Sequence, residues 1–148
     1  NKGTIKDCSF NDCKADAKSP VIRLSNVEVS NTEFTHCFSD DANVKCLFQM
    51  DQTTMTGCRF TYCNRHGGTS SAAGIVQATN NSALQNCLFE CCSVENATAL
   101  SEIVKWYKPL ESGQSSRKAP TSSILLLRNS TQKNNTFQNC TGEKTQQM

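Results

Sequence analysis

Three groups of residues in this 148-residue chain have the types and spacing to do chemistry. The first is a carboxylate pair, Asp40-Asp41, with His66 about one repeat further on. Paired carboxylates that activate water on one face of a sugar are the usual machinery of glycoside hydrolysis. The competing reading is that all three are solvated loop residues, because each group follows the corner position of its repeat, where polar loops are expected. The second group is the ten cysteines. The third is Ser101–Thr121, which holds the only Trp, Trp106, beside Tyr107 and flanked by Lys105 and Lys108. Trp and Tyr with neighbouring cations form a contact surface for a sugar ring or a protein.

Cysteine usage allows several arrangements. Cys13, Cys37, Cys63, Cys92 and Cys140 fall in one column of the repeat, and Cys8, Cys58 and Cys87 in a second, with Cys46 and Cys91 outside both. A stack of buried thiols makes a core ladder. Disulfides are the other arrangement, since vertical neighbours lie within Cα range even though stacking seldom orients their Cβ atoms for one. A metal site is not expected, because no C-x-x-C pair occurs and His36 and His66 share no ligand spacing with the cysteines. No cofactor is implied.

Five N-x-S/T sequons begin at Asn80, Asn96, Asn129, Asn134 and Asn139. A composition this rich in Asn, Ser and Thr gives roughly three by chance. Together with the cysteines they favour a secretory route and an extracellular or cell-surface location. The formal net charge is +2, with acidic and basic residues interleaved, so a nucleic-acid partner has little electrostatic support. No run of about 18 apolar residues is present to insert this segment in a membrane. The start at Asn1-Lys2-Gly3 reads as a mature form or a piece of something longer.

These groups must be positioned by a repeat. Cys8-Ser-Phe10-Asn-Asp-Cys13, Thr32-Glu-Phe34-Thr-His-Cys37, Cys58-Arg-Phe60-Thr-Tyr-Cys63, Cys87-Leu-Phe89-Glu-Cys-Cys92 and Asn135-Thr-Phe137-Gln-Asn-Cys140 align as one motif. Their phenylalanines lie 24, 26, 29 and 48 residues apart. Upstream, Ile5, Val29, Met55, Leu84 and Gln132 share a column, and Asn26, Gln52, Asn81 and Asn129 another. Apolar strands at Val21–Leu24, Cys46–Met50, Ala73–Val76 and Ile124–Leu127 precede the last four motifs. Period-two alternation such as Val27-Glu-Val29 marks half-buried strands, and helix-period patterns are scarce. Coils of roughly 25 residues with two or three short strands predict a parallel β-helix, in which like residues stack on like at about 4.8 Å.

The motif resembles that of right-handed parallel β-helix surface proteins of the polymorphic outer-membrane-protein type, with Ser71-Ala-Ala-Gly74-Ile75 similar to their small-residue strand. Related repeats with cysteine at the corner occur on the surfaces of some parasitic protists. The resemblance implies an all-β, right-handed parallel β-helix of about five coils. It also extends to the pectin-lyase-like fold, whose galacturonan hydrolases carry an Asp-Asp pair and, one coil later, a His-Gly. Asp40-Asp41 and His66-Gly67 are similar to those two, but the N-T-D and R-I-K coils of that family have no counterpart here.

The expected protein is a single β-helix domain over 1–148, a fragment of a longer solenoid, with 101–121 as an inserted loop or a divergent coil. The expected role is a non-enzymatic structural or adhesive surface module. Its partner would be a protein or glycan on another surface, or a further copy through coil stacking. The alternative is a pectin-lyase-like carbohydrate-active enzyme or a carbohydrate-binding relative.

Overall fold

The computed structural model describes residues 2–16, 19–40, 44, 46–65, 73–94, 122–140 and 143–147. Within them the chain is all-β, with no helix, and every strand pairing is parallel. There are four sheets. The first contains β1 (Gly3–Lys6), β4 (Val27–Ser30), β8 (Thr54–Thr56), β12 (Ala83–Gln85) and β16 (Thr131–Lys133), side by side in that order. The second contains β2 (Ser9–Asn11), β5 (Glu33–Thr35), β9 (Arg59–Thr61), β13 (Leu88–Glu90) and β17 (Thr136–Gln138). The third has only β6 (Phe38–Ser39), β10 (Asn64–Arg65) and β14 (Ser93–Val94). The fourth contains β3 (Ile22–Ser25), β7 (Cys46–Asp51), β11 (Ala73–Thr79), β15 (Ser122–Arg128) and β18 (Glu143–Gln147). The chain visits these sheets in a fixed rotation, and each return lays a strand beside the one made on the previous visit.

Two sequence signals produce this arrangement. The first is inward alternation. Val29, Met55 and Leu84 are Cα partners in the first sheet and are buried, and Phe34, Phe60 and Phe89 are the same in the second. The second is a left-handed backbone residue every five positions. Positive φ occurs at Asn26, Asn31 and His36, at Gln52, Gly57 and Tyr62, at Asn81, Asn86 and Cys91, and at Asn129, Asn134 and Asn139. A three-residue strand, one left-handed residue and one inward residue make each five-residue step. Most of these positions carry Asn, Asp or Gly, the residues that reach this conformation at least cost. At Gly57 a Cβ would stand 2.8 Å from the Asn31 Oδ1 atom, so the site is also crowded.

The fourth sheet is the most apolar. Leu47, Phe48, Ile75, Val76 and the run Ile124 to Leu127 are all buried, as expected of parallel strands covered on both faces. Phe48 tilts onto Phe34 and Phe60, with centroids 4.6 and 5.2 Å away, and so joins this sheet to the second.

The phenylalanine column forms as expected. Ring centroids from Phe10 through Phe34, Phe60 and Phe89 to Phe137 are 5.2, 4.8, 4.6 and 4.9 Å apart, and neighbouring planes differ by 5–9°. The spacing holds even across the 48-residue interval, because β13 pairs directly with β17, as β12 does with β16 and β11 with β15. Residues 95–121, and with them the choice between loop and coil for 101–121, lie outside the described residues. One expectation changes. The chain makes four strands per circuit rather than two or three, because the third sheet's strands are only two residues long and carry no period-two pattern.

Candidate functional site

The corners are built by the inward residue that follows each left-handed position. It is small and, apart from Val27, it carries a donor. Thr53 Oγ1 donates to the carbonyl oxygens of Asp51 at 2.9 Å and Leu24 at 3.2 Å. Ser82 Oγ donates to Thr79 at 2.7 Å, and Ser130 Oγ to Arg128 at 3.0 Å. The cysteine columns do the same with sulfur. The thiols of Cys63, Cys92 and Cys140 donate to the carbonyl oxygens of Phe34, Phe60 and Phe89 in the preceding circuit, each at 3.4 Å. The same single S–H is shared with the carbonyl two residues back, at 3.7, 3.6 and 3.4 Å. Thr32 and Asn135 stand in the column of Cys8, Cys58 and Cys87, and both bond to backbone there. Cysteine therefore acts as a small interior donor interchangeable with Thr, Ser or Asn.

All ten cysteines are free thiols. Burial pushes Cys46 up to about 12, partly opposed by the charge on Arg23. Along the long column, hydrogen bonds with neighbouring thiols raise Cys63 and Cys140 and lower Cys37 and Cys92. An ionised sulfur accepts from its neighbours and so keeps them protonated. No group of three His, Cys, Asp or Glu side chains among the described residues is placed to hold a metal ion.

The candidate catalytic residues are only partly described. Asp40 is exposed and pairs with Lys14 at 3.3 Å. Asp41 and His66 lie outside the described residues, as do Trp106, Tyr107, Lys105, Lys108 and the sequon residue Asn96. The neighbours of the two dyads are not loop residues: Ser39 and Arg65 are buried in β6 and β10, and Arg65 Nε donates to the Val44 carbonyl at 2.8 Å. The four described sequon residues, Asn80, Asn129, Asn134 and Asn139, are all exposed at positive φ. The Asn80 amide nevertheless donates to Asp51 Oδ1 at 2.8 Å.

One cluster was missed by the sequence reading. At the corner between the second and third sheets, the left-handed column runs Asp12, His36, Tyr62, Cys91, Asn139. Backbone bonds from Asp12, His36, Tyr62 and Cys91 to Thr35, Thr61, Glu90 and Gln138 hold it in register. The His36 and Tyr62 rings stack at 5.3 Å, and His36 Nδ1 lies 3.6 Å from an Asp12 carboxylate oxygen. Beside them, Lys14 Nζ sits 5.8 Å from the centre of the Phe38 ring. Phe38 and Tyr62, at 38% and 49% exposure, are the two exposed large hydrophobic side chains among the described residues. Their signal in the sequence was an aromatic or His at an x position of Phe-x-x-Cys or just past it, where neighbouring repeats have polar or small residues.

No protein-family model, curated protein or solved structure matches the chain.

Proposed function

We propose that the four sheets close into a right-handed parallel β-helix solenoid of about five coils. We further propose that it works as a non-enzymatic extracellular surface module, structural or adhesive, presenting side chains and loops from a stiff wall to a protein or glycan on another surface. The observation that carries this reading is the fixed rotation of the chain through four parallel sheets with residue-on-residue register. Right-handedness follows from the general preference of parallel crossovers. A wall whose circuits must stay alike to stack leaves chemical variety to its outward positions. The exposed corner asparagines of the sequons support a secretory route.

The test has two arms. Beads carrying the purified chain should be retained on glycan- or protein-coated surfaces, and beads carrying the same chain held unfolded in urea should not. Polygalacturonate incubated with the chain should release no reducing sugar. Hydrolysis that Asp41→Ala abolishes would replace this reading with the pectin-lyase-like enzyme.

A further inference from the structure

From the corner between the second and third sheets we infer a binding site for an uncharged pyranose sugar, centred on Tyr62 and flanked by His36 and Phe38. The inference names a ligand class for the surface module and rests on that reading.

The starting point is a conformational anomaly. The two other corners place Asn, Asp, Gln or Gly at their left-handed positions, whereas this one has His36, Tyr62 and Cys91 in its middle circuits. A bulky side chain is disfavoured at positive φ, and Tyr62 sits at 52°. The same residue also leaves much of an aromatic ring in water. Two local preferences are broken at one residue, and no packing in the core compensates, since the ring points away from it. Such departures concentrate where a protein binds something.

The geometry favours a sugar over a protein. His36 covers one face of Tyr62. The next residue in the column is Cys91, whose side chain has a single heavy atom beyond Cβ, and among the described residues no second ring stacks on Tyr62. The C–H face of a pyranose carries positive partial charge and is attracted to the negative face of an aromatic ring. The Asn64 amide donates to the Tyr62 carbonyl at 3.1 Å and accepts from Ser93 Oγ at 2.7 Å, which leaves its second N–H and second lone pair for a sugar hydroxyl. A protein interface instead centres on a contiguous apolar core depleted of charge. Here charged groups surround the rings.

Charge also selects the class of sugar. Lys14 is paired with Asp40 at 3.3 Å and Arg59 with Glu90 at 2.6 Å, while Asp12 faces His36. Among the described residues both cations are already engaged, and the Asp12 carboxylate is left to oppose a uronate, sialate or sulfate.

The test uses the full chain with cellotetraose, mannotetraose, N-acetylchitotetraose and a poly-N-acetyllactosamine tetrasaccharide. Trigalacturonate and sialyllactose are the acidic counterparts. Saturable binding is read by calorimetry and by saturation-transfer NMR. At least one neutral probe should saturate, and the acidic probes should bind more weakly. Tyr62→Phe should keep the affinity, and Tyr62→Asn should lower it about tenfold or more. The melting temperature separates this from a structural role: Tyr62→Asn should melt at or above the parent, because Asn suits positive φ better. The inference is overturned if no neutral probe saturates, if Tyr62→Asn binds like the parent, or if the acidic probes bind more tightly. A change of oligomeric state in Tyr62→Asn without any sugar effect would make the Tyr62 corner a contact between copies, and also overturns it. Bead retention on protein-coated surfaces in those cases would leave the surface-module reading standing.

Discussion

The Cys63 thiol donates to the carbonyl oxygen of Phe34, 29 residues earlier, at 3.4 Å. That bond ties one circuit to the next at a corner with no exposure. Cys63→Ala removes the donor and leaves a small void, and should cost about 1–3 kcal/mol in urea denaturation. Cys63→Ser keeps a donor of the kind that Thr53 and Ser82 supply at another corner, and should cost less than the alanine variant. Equal losses would show that the thiol contributes bulk alone.

Thiol burial also predicts an alkaline limit. Cys46 has its folded pKa raised to about 12 from an ordinary 9.0. Its contribution is therefore fully present below pH 9, where both states are protonated. It is lost progressively between about pH 9 and 12, as the unfolded chain ionises and the folded one does not, at up to about 1.4 kcal/mol per pH unit. Urea midpoints at pH 8, 9 and 10 should fall in that order, with a shallower fall in Cys46→Ala. An unchanged slope in that variant would remove Cys46 as a cause.

The corners predict opposite outcomes for two substitutions. Gly57→Ala introduces a side chain at φ 64° and 2.8 Å from Asn31 Oδ1, and should destabilise by about 1–2 kcal/mol. Asn134→Gly at an exposed left-handed corner should change stability by no more than a few tenths of a kcal/mol. Thermal melts of both variants test the five-residue corner pattern.

Direct pairing of β13 with β17 bears on the long interval. Joining Leu100 to Ser122 shortens the connection from β14 to β15, and β15 already pairs with β11 of the preceding circuit, so closing a shorter loop carries less entropy cost. The deletion variant should melt cooperatively within a few degrees of the parent. Unfolding would mean that residues 101–121 carry part of the core.

The parts of this structure that were legible in the sequence are the inward ones. Phe10, Phe34, Phe60, Phe89 and Phe137 repeat because a ring column accepts only rings, and the cysteines repeat because their two corners take small side chains that bond to backbone. The third sheet was illegible, since Phe38–Ser39 and Asn64–Arg65 are too short to alternate. The five-residue rhythm was hidden for a different reason. Backbone conformation, rather than side-chain chemistry, is what repeats there, and Asn, Gln, Gly, His, Tyr and Cys all occupy it. Tyr62 went unnoticed because its motif position faces outward, and it becomes conspicuous only once its φ and exposure are known. The catalytic possibility rested on Asp40, Asp41 and His66, of which only Asp40 is described, so the Asp41→Ala assay decides it.

The order of the rings fixes the order of the stacked circuits. In protein with labelled phenylalanine side chains, Phe60→Ala should destabilise by about 3–5 kcal/mol, and the half-buried terminal Phe137→Ala by less. The more direct measurement is ring-to-ring NOE contact in the parent. The predicted contacts run Phe10–Phe34–Phe60–Phe89–Phe137 in sequence, at centroid separations of 4.6–5.2 Å, with Phe48 touching Phe34 and Phe60. A missing Phe89–Phe137 contact, or a contact that skips a ring, would contradict the stacked circuits and every surface derived from them.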